Sequence, residues 1–169
     1  MPEDISGETV SADAGLLIQR LLERDMTVVL AESCTAGLVA DLFANIPGAS
    51  KVFWGSYVCY TAEAKISMLG LDAGRLDMYG LVSAETACDM ARSALVKSGA
   101  CIAASVTGVA GPGDSGGVCP GTVWIAAALR ADVSPSASLY NFSGSRNEVR
   151  GKAAHAVLQE LQNALDRDG

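Results

Sequence analysis

Histidine is almost missing from this sequence: His155 is the only one. Chemistry that needs a pair of histidines, or several as metal ligands, is thereby excluded, and a Ser-His-Asp triad would have to recruit His155. Aromatic residues make up only 5%, so alanine, valine and leucine must fill the core. Side chains that small suit close packing of helices on a sheet. No uninterrupted apolar run reaches the roughly 20 residues that span a bilayer. The stretch from Met1 to Asp13 is polar and acidic, with neither a basic nor an apolar segment, which is not the pattern of a secretion signal. It reads as a short disordered lead-in (1–13) to a single domain (14–169). Positive charge is also scarce: 12 Lys and Arg against 19 Asp and Glu leave a formal net charge of −7. That field repels nucleic-acid phosphates and argues against a nucleic-acid partner. It repels small anions too, so a site for one needs local cations or a helix N-terminus. The five cysteines (Cys34, Cys59, Cys88, Cys101 and Cys119) are odd in number and lack C-x-x-C spacing. They read as reduced thiols of a cytoplasmic protein rather than as disulfides or a zinc site.

What is present is an alternation of buried-strand and helix patterns. Half of the 169 residues are hydrophobic, enough for the core of one domain. Ala14 to Arg24 has amphipathic helical spacing, and Met26 to Ala31 is a continuous apolar run suited to a strand buried on both faces. Leu38 to Ile46 resumes a helical pattern that Pro47-Gly48 stops. Val52 to Tyr60 reads as a strand, and Glu63 to Leu69 as a short helix. Ser83 is a good N-cap for a helix running to about Lys97, with Gly99 as terminator. Cys101 to Val106, Thr122 to Leu129 and Ala137 to Phe142 read as strands, the last two separated by a polar turn near Asp132 to Pro135. Ser145 to Leu165 is a long closing helix. Gly108 to Gly121 holds six glycines and two prolines and must be a loop. The class is α/β, with helices on both faces of a mixed, largely parallel sheet. Ligands bind such sheets where strand ends meet loops and helix N-termini.

Four segments can carry chemistry. In Ala31–Gly37 (AESCTAG) a buried strand enters a tight turn that opens a helix. That geometry exposes the Ser33 hydroxyl beside backbone N–H groups and a helix dipole that can hold an oxyanion. Helix capping by Ser33 or Thr35 is the commoner role of such residues. Cys34 is a rival nucleophile, with a buried structural thiol as its plainer role. In Tyr57–Lys65 (YVCYTAEAK), Tyr60 ends a strand and Lys65 sits in the next helix. A lysine can serve as the base for a serine if burial depresses its pKa, and a tyrosine can relay the proton. A surface lysine is the simpler alternative. In Ser105–Gly117 a glycine-rich loop follows a strand and would let a ligand approach the backbone. It matches neither G-x-x-x-x-G-K-[ST] nor G-x-G-x-x-G, and a plain surface turn fits it equally. In Phe142–Arg150 a helix start carries Ser145 and Arg146, an arrangement suited to an anion.

Together, AESCTAGL, GSYVCYTAEAK, SVTGVAGPGD followed by GTVW, and FSGSR-x-x-VR closely resemble the CinA C-terminal domain family, from about Leu16 to Leu165. The chain looks like the stand-alone form of that domain. The resemblance implies a three-layer α/β/α fold and hydrolysis of the carboxamide of nicotinamide mononucleotide to nicotinate mononucleotide and ammonia, a step of pyridine nucleotide salvage. It implies a catalytic set of Ser33, Tyr60 and Lys65. Substrate would be held by Thr107 and Arg146, with Cys34, Thr35 and Gly37 at the turn and Gly108 and Gly111 in the loop. No metal and no cofactor is implied, no membrane is involved, and a homo-oligomer is expected. One departure stands out: the family's turn usually reads SCTGG, and Ala36 here replaces a glycine, at a strain cost of about 1 kcal/mol if that position has φ > 0. Two other functions remain open on sequence: a nucleotide-binding module without catalysis, in which Ser33 only caps the helix, and an amidase for another small amide.

Overall fold

The computed structural model describes residues 7–131 and 135–167, which hold five strands, six α-helices and a short 3-10 helix at Ala49–Lys51. Helix α1 (Gly7–Glu23) precedes β1 (Val28–Glu32) and α2 (Leu38–Ala44). Strand β2 (Phe53–Val58) leads into α3 (Ala62–Ala64), which widens into a π turn over Lys65–Leu69. Then come α4 (Ala73–Tyr79), α5 (Ala84–Ser98), β3 (Ile102–Gly108), β4 (Thr122–Leu129), β5 (Ala137–Asn141) and α6 (Arg146–Arg167).

The sheet order is β2-β1-β3-β4-β5. β1 lies parallel to both β2 and β3, whereas β3–β4 and β4–β5 are antiparallel. β1 is central to the parallel half and every one of its residues is buried, which is why Val28–Ala31 reads as an unbroken apolar run. The period of two splits the strands between two cores. Val28, Leu30, Ile102, Val106, Val123 and Ile125 face α1, α2 and α6. The opposite face is nearly all alanine (Ala31, Ala103, Ala126, Ala128) and meets Ala87, Met90, Ala91 and Ala94 of α5. Side chains this small let α5 pack close to the sheet, and the scarcity of aromatics follows from that geometry.

The structure departs from the sequence reading in several places. Helix α1 starts at Gly7, so 7–13 is helical rather than a disordered lead-in; residues 1–6 lie outside the described residues. Two contacts hold its first turns. Val10 packs against the core, and the Asp13 carboxylate lies 2.6 Å from Nε2 of His155 on α6. Helix α4 has no counterpart in the sequence reading, because it buries only Leu76 and contains a glycine. Its one sequence signal is Asp72, whose side chain caps the Arg75 N–H at 2.8 Å. The Ser83 cap is as expected, accepting from Thr86 N–H at 3.1 Å. Of the expected turn at 132–135, residues 132–134 lie outside the described residues. Among the described residues no helix is long and apolar enough to cross a membrane.

Candidate active site

The parallel strands β1, β2 and β3 end on one edge of the sheet, and the chain leaves each through a segment rich in polar groups. Ser33 follows β1, Tyr60 and Lys65 follow β2, and Thr107 sits at the end of β3. All four line one cavity of about 240 Å³, together with Gly111 of the following loop and Arg146 at the start of α6. This is where an α/β sheet is expected to take a ligand.

At its floor, Lys65 Nζ lies 2.8 Å from Ser33 Oγ and 2.9 Å from the Cys59 carbonyl oxygen. Lys65 is only 1% exposed, and burial pushes its pKa below the ordinary 10.5; the thiols of Cys59 and Cys34 oppose this only in part. The π turn that begins at Lys65 is a rare helical form that recurs at functional sites. A neutral amine has two protons and one lone pair. Donating to the Cys59 carbonyl leaves the lone pair available to the Ser33 hydroxyl. Cys34 lines the same cavity, but burial pushes its thiol up to about 11. It is held as the neutral thiol, and Ser33 is the nucleophile that the geometry favours.

The turn after β1 is pinned on several sides. Ser33 N–H donates to the Val106 carbonyl at 3.0 Å, and Ala36 N–H returns to the Ser33 carbonyl at 3.0 Å. Glu32, 1% exposed, accepts from the N–H groups of Gly37 (2.9 Å), Val39 (3.1 Å) and Ala40 (3.0 Å) and from the hydroxyls of Thr35 (2.7 Å) and Ser56 (2.9 Å). This corrects two expectations. Thr35 and Gly37 do not line the cavity, because the Thr35 hydroxyl and the Gly37 N–H are both given to Glu32. The positive end of α2 is likewise taken up by that carboxylate instead of facing a ligand. The N–H groups of Cys34 and Thr35 find no backbone acceptor in the turn, and of the two residues only Cys34 lines the cavity.

Ala36 has φ of 51°, so the left-handed conformation conjectured for this position is present. Ala36→Gly removes the side-chain penalty at the cost of a more flexible unfolded chain. The expected net result is stabilisation of up to about 1 kcal/mol, measured as a rise in the thermal midpoint; a lower midpoint would contradict the strain.

Tyr60 departs from its expected role as a relay. The residue is 51% exposed, and its hydroxyl accepts from Arg146 Nη2 at 2.7 Å rather than contacting Ser33 or Lys65. Arg146 Nη1 donates to the Gly111 carbonyl at 2.6 Å. Tyr60, Arg146 and Gly111 thus form the cavity mouth. Ser145 and Glu148 make a reciprocal cap that fixes the start of α6 beneath Arg146. The Thr107 hydroxyl donates to the Leu81 carbonyl at 2.7 Å, which anchors the loop before α5 as a cavity wall. Gly108 lines the cavity, but its lack of a side chain is a packing requirement: a Cβ there would sit 2.7 Å from the Thr122 carbonyl oxygen. Gly111 has φ of 89°, which presents its carbonyl to Arg146.

Sequence reading missed the roles of two residues inside the segments it quoted. The signal for Glu32 in the sequence is a lone carboxylate directly after the apolar run Val28–Ala31. Arg150 lies four residues beyond Arg146, on the same face of α6. Its Nε donates to the Cys34 carbonyl at 3.1 Å and its Nη2 to the Thr35 carbonyl at 2.7 Å.

Comparison with known proteins agrees with this architecture. The family model of the CinA C-terminal domain matches residues 11–165. A CinA-like protein of Geobacter metallireducens is 42% identical over 160 residues, 94% of this chain and 38% of its own length. A protein of Lacticaseibacillus casei is 43% identical over 149 residues, 88% of this chain and 36% of its own. The chain therefore spans little more than a third of the length of these relatives. Among solved structures, the competence/damage inducible protein CihA of Agrobacterium tumefaciens superposes with a TM-score of 0.87 at 34% identity, covering 91% of this chain and 94% of that one. A CinA superfamily protein of Escherichia coli gives 0.87 at 28% identity, covering 92% and 90%. By its matched length, its fold and its four motifs, the chain belongs to the CinA C-terminal domain family.

Proposed function

We propose that this chain is an amidohydrolase that converts nicotinamide mononucleotide to nicotinate mononucleotide and ammonia through an acyl-enzyme on Ser33. The observation that carries the reading is the buried Lys65 amine, 2.8 Å from the Ser33 hydroxyl. Burial that lowers the lysine pKa favours the free amine, which is the form a general base requires. Neutral Lys65 takes the Ser33 proton as Oγ bonds to the carboxamide carbon. The carbonyl oxygen becomes an oxyanion facing the Cys34 N–H group at the cavity. The tetrahedral intermediate collapses as the C–N bond breaks, and the Lys65 ammonium returns its proton to the departing nitrogen. Water, deprotonated by the same amine, then cleaves the ester to give nicotinate and regenerate Ser33. At the mouth, Arg146 supplies a cation for the phosphate against the chain's acidic field, and Asp114 on the cavity wall offers an acceptor to sugar hydroxyls.

Ammonia released on incubation with nicotinamide mononucleotide tests this directly. The wild type releases it and Ser33→Ala does not, while the variant still binds the nucleotide. A fully active Ser33→Ala protein would overturn the assignment.

A further inference from the structure

The turn that carries Ser33 has three successive peptide planes, and each is held by its carbonyl. The Ser33 carbonyl accepts from Ala36 N–H. The Cys34 carbonyl accepts from Arg150 Nε, and the Thr35 carbonyl from Arg150 Nη2 and, at 3.2 Å, from Leu38 N–H. A trans peptide is planar, with its N–H opposite its C=O. Fixing the Ser33 carbonyl therefore fixes the direction of the Cys34 N–H at the cavity, and fixing the Cys34 carbonyl holds the next peptide plane behind it. Arg150 reaches this turn from α6, 115 residues away in sequence from Thr35. A guanidinium fork can bridge two carbonyls at once, which an ammonium cannot do in the same fixed geometry.

We propose that Arg150 is a positioning residue for the oxyanion site: its guanidinium holds the Cys34 and Thr35 carbonyls from behind so that Ser33 and the Cys34 N–H beside it stay aimed at the reacting carbonyl group. This rests on the acyl-transfer reading of Ser33. It gives α6 two tasks one turn apart, with Arg146 at the mouth and Arg150 behind the nucleophile. Arg150 touches neither substrate nor the reacting atoms, so its effect appears in the rate of acylation rather than in binding.

The test combines steady-state hydrolysis of nicotinamide mononucleotide with acylation by p-nitrophenyl acetate, an activated ester that needs the same oxyanion donors but not the nucleotide pocket. Arg150→Gln is expected to lower kcat, and the ester acylation rate, by about 100-fold, the scale of losing a good oxyanion donor. KM stays within about twofold of wild type, and the pH midpoint of the rising limb is unchanged because the Lys65 base is untouched. Arg150→Lys falls between the two, and added guanidinium restores part of the rate of Arg150→Ala. A folded Arg150→Gln protein that acylates as fast as wild type would overturn the proposal. So would a loss confined to KM, or a shifted pH limb, since either places the effect elsewhere. If wild type fails on both the nucleotide and the ester, the acyl-transfer reading falls and this proposal with it. If wild type acts on both and the Arg150 variants match it, this proposal alone is lost.

Discussion

Lys65→Met is expected to lower amide hydrolysis at least about a thousandfold, since a positioned general base contributes roughly 10² to 10⁴ in rate and here would act in both acylation and deacylation. The same substitution is expected to make the protein more stable. In the native state burial holds the Lys65 pKa below 10.5, whereas the unfolded chain exposes an ordinary lysine. Between the two values the unfolded state binds one more proton, so stability rises with pH across that window and is lowest beneath it. At neutral pH the buried amine is therefore a destabilising contribution, which a methionine of similar length removes. The gain, offset in part at the Cys59 carbonyl and the Ser33 hydroxyl that lose their partner, is expected as a rise in the thermal midpoint. The sign also fixes the rate profile of the wild type. Its kcat/KM rises with pH as Lys65 loses its proton, with a midpoint below 10.5. Calorimetry beside an ammonia assay checks both halves. An active Lys65→Met protein, or one that melts earlier than wild type, contradicts the role given to this amine.

The second large effect concerns folding. Glu32→Ala strips the acceptor from five donors at once: three N–H groups at the start of α2 and the hydroxyls of Thr35 and Ser56. Each donor left buried without a partner costs about 1–3 kcal/mol, though water entering the gap recovers some of it. A net loss of about 3–5 kcal/mol is expected, a fall on the order of 10 °C in the thermal midpoint. Glu32→Gln keeps the volume but turns an –NH₂ toward donors, so it falls short of rescue. A chemical denaturation curve measures this without any assay of activity. A Glu32→Ala midpoint within error of wild type would mean that the carboxylate is not what organises the turn.

Much of this was legible beforehand, for physical reasons. The run Val28–Ala31 announced a strand buried on both sides, and Ser83 with Gly99 bracketed α5, because burial and capping leave local marks. The cavity residues Ser33, Lys65, Tyr60, Thr107 and Arg146 were named from their motifs, and all meet in one place. What stayed hidden was the direction of hydrogen bonds. Nothing in the order of residues says that Tyr60 turns toward Arg146 rather than Lys65, or that Gly37 gives its N–H to Glu32. Those choices depend on the packing of α2 and α6 against the sheet, which is a long-range property. Helix α4 was missed for the opposite reason: it buries a single leucine and so lacks a periodic apolar face.

The occupied end of α2 has a consequence for inhibitor design. In many hydrolases and nucleotide-binding proteins an acidic warhead gains by pointing at an open helix N-terminus. Here that position is filled by the protein's own Glu32, and a second anion would meet a like charge already in place. A compound built for this cavity should be neutral where it meets Ser33 and become anionic only on covalent addition, as an aryl boronic acid does. Its permanent negative charge belongs at the opposite end, beside Arg146. Affinity in such a series should follow the placement of charge along the molecule more closely than its total.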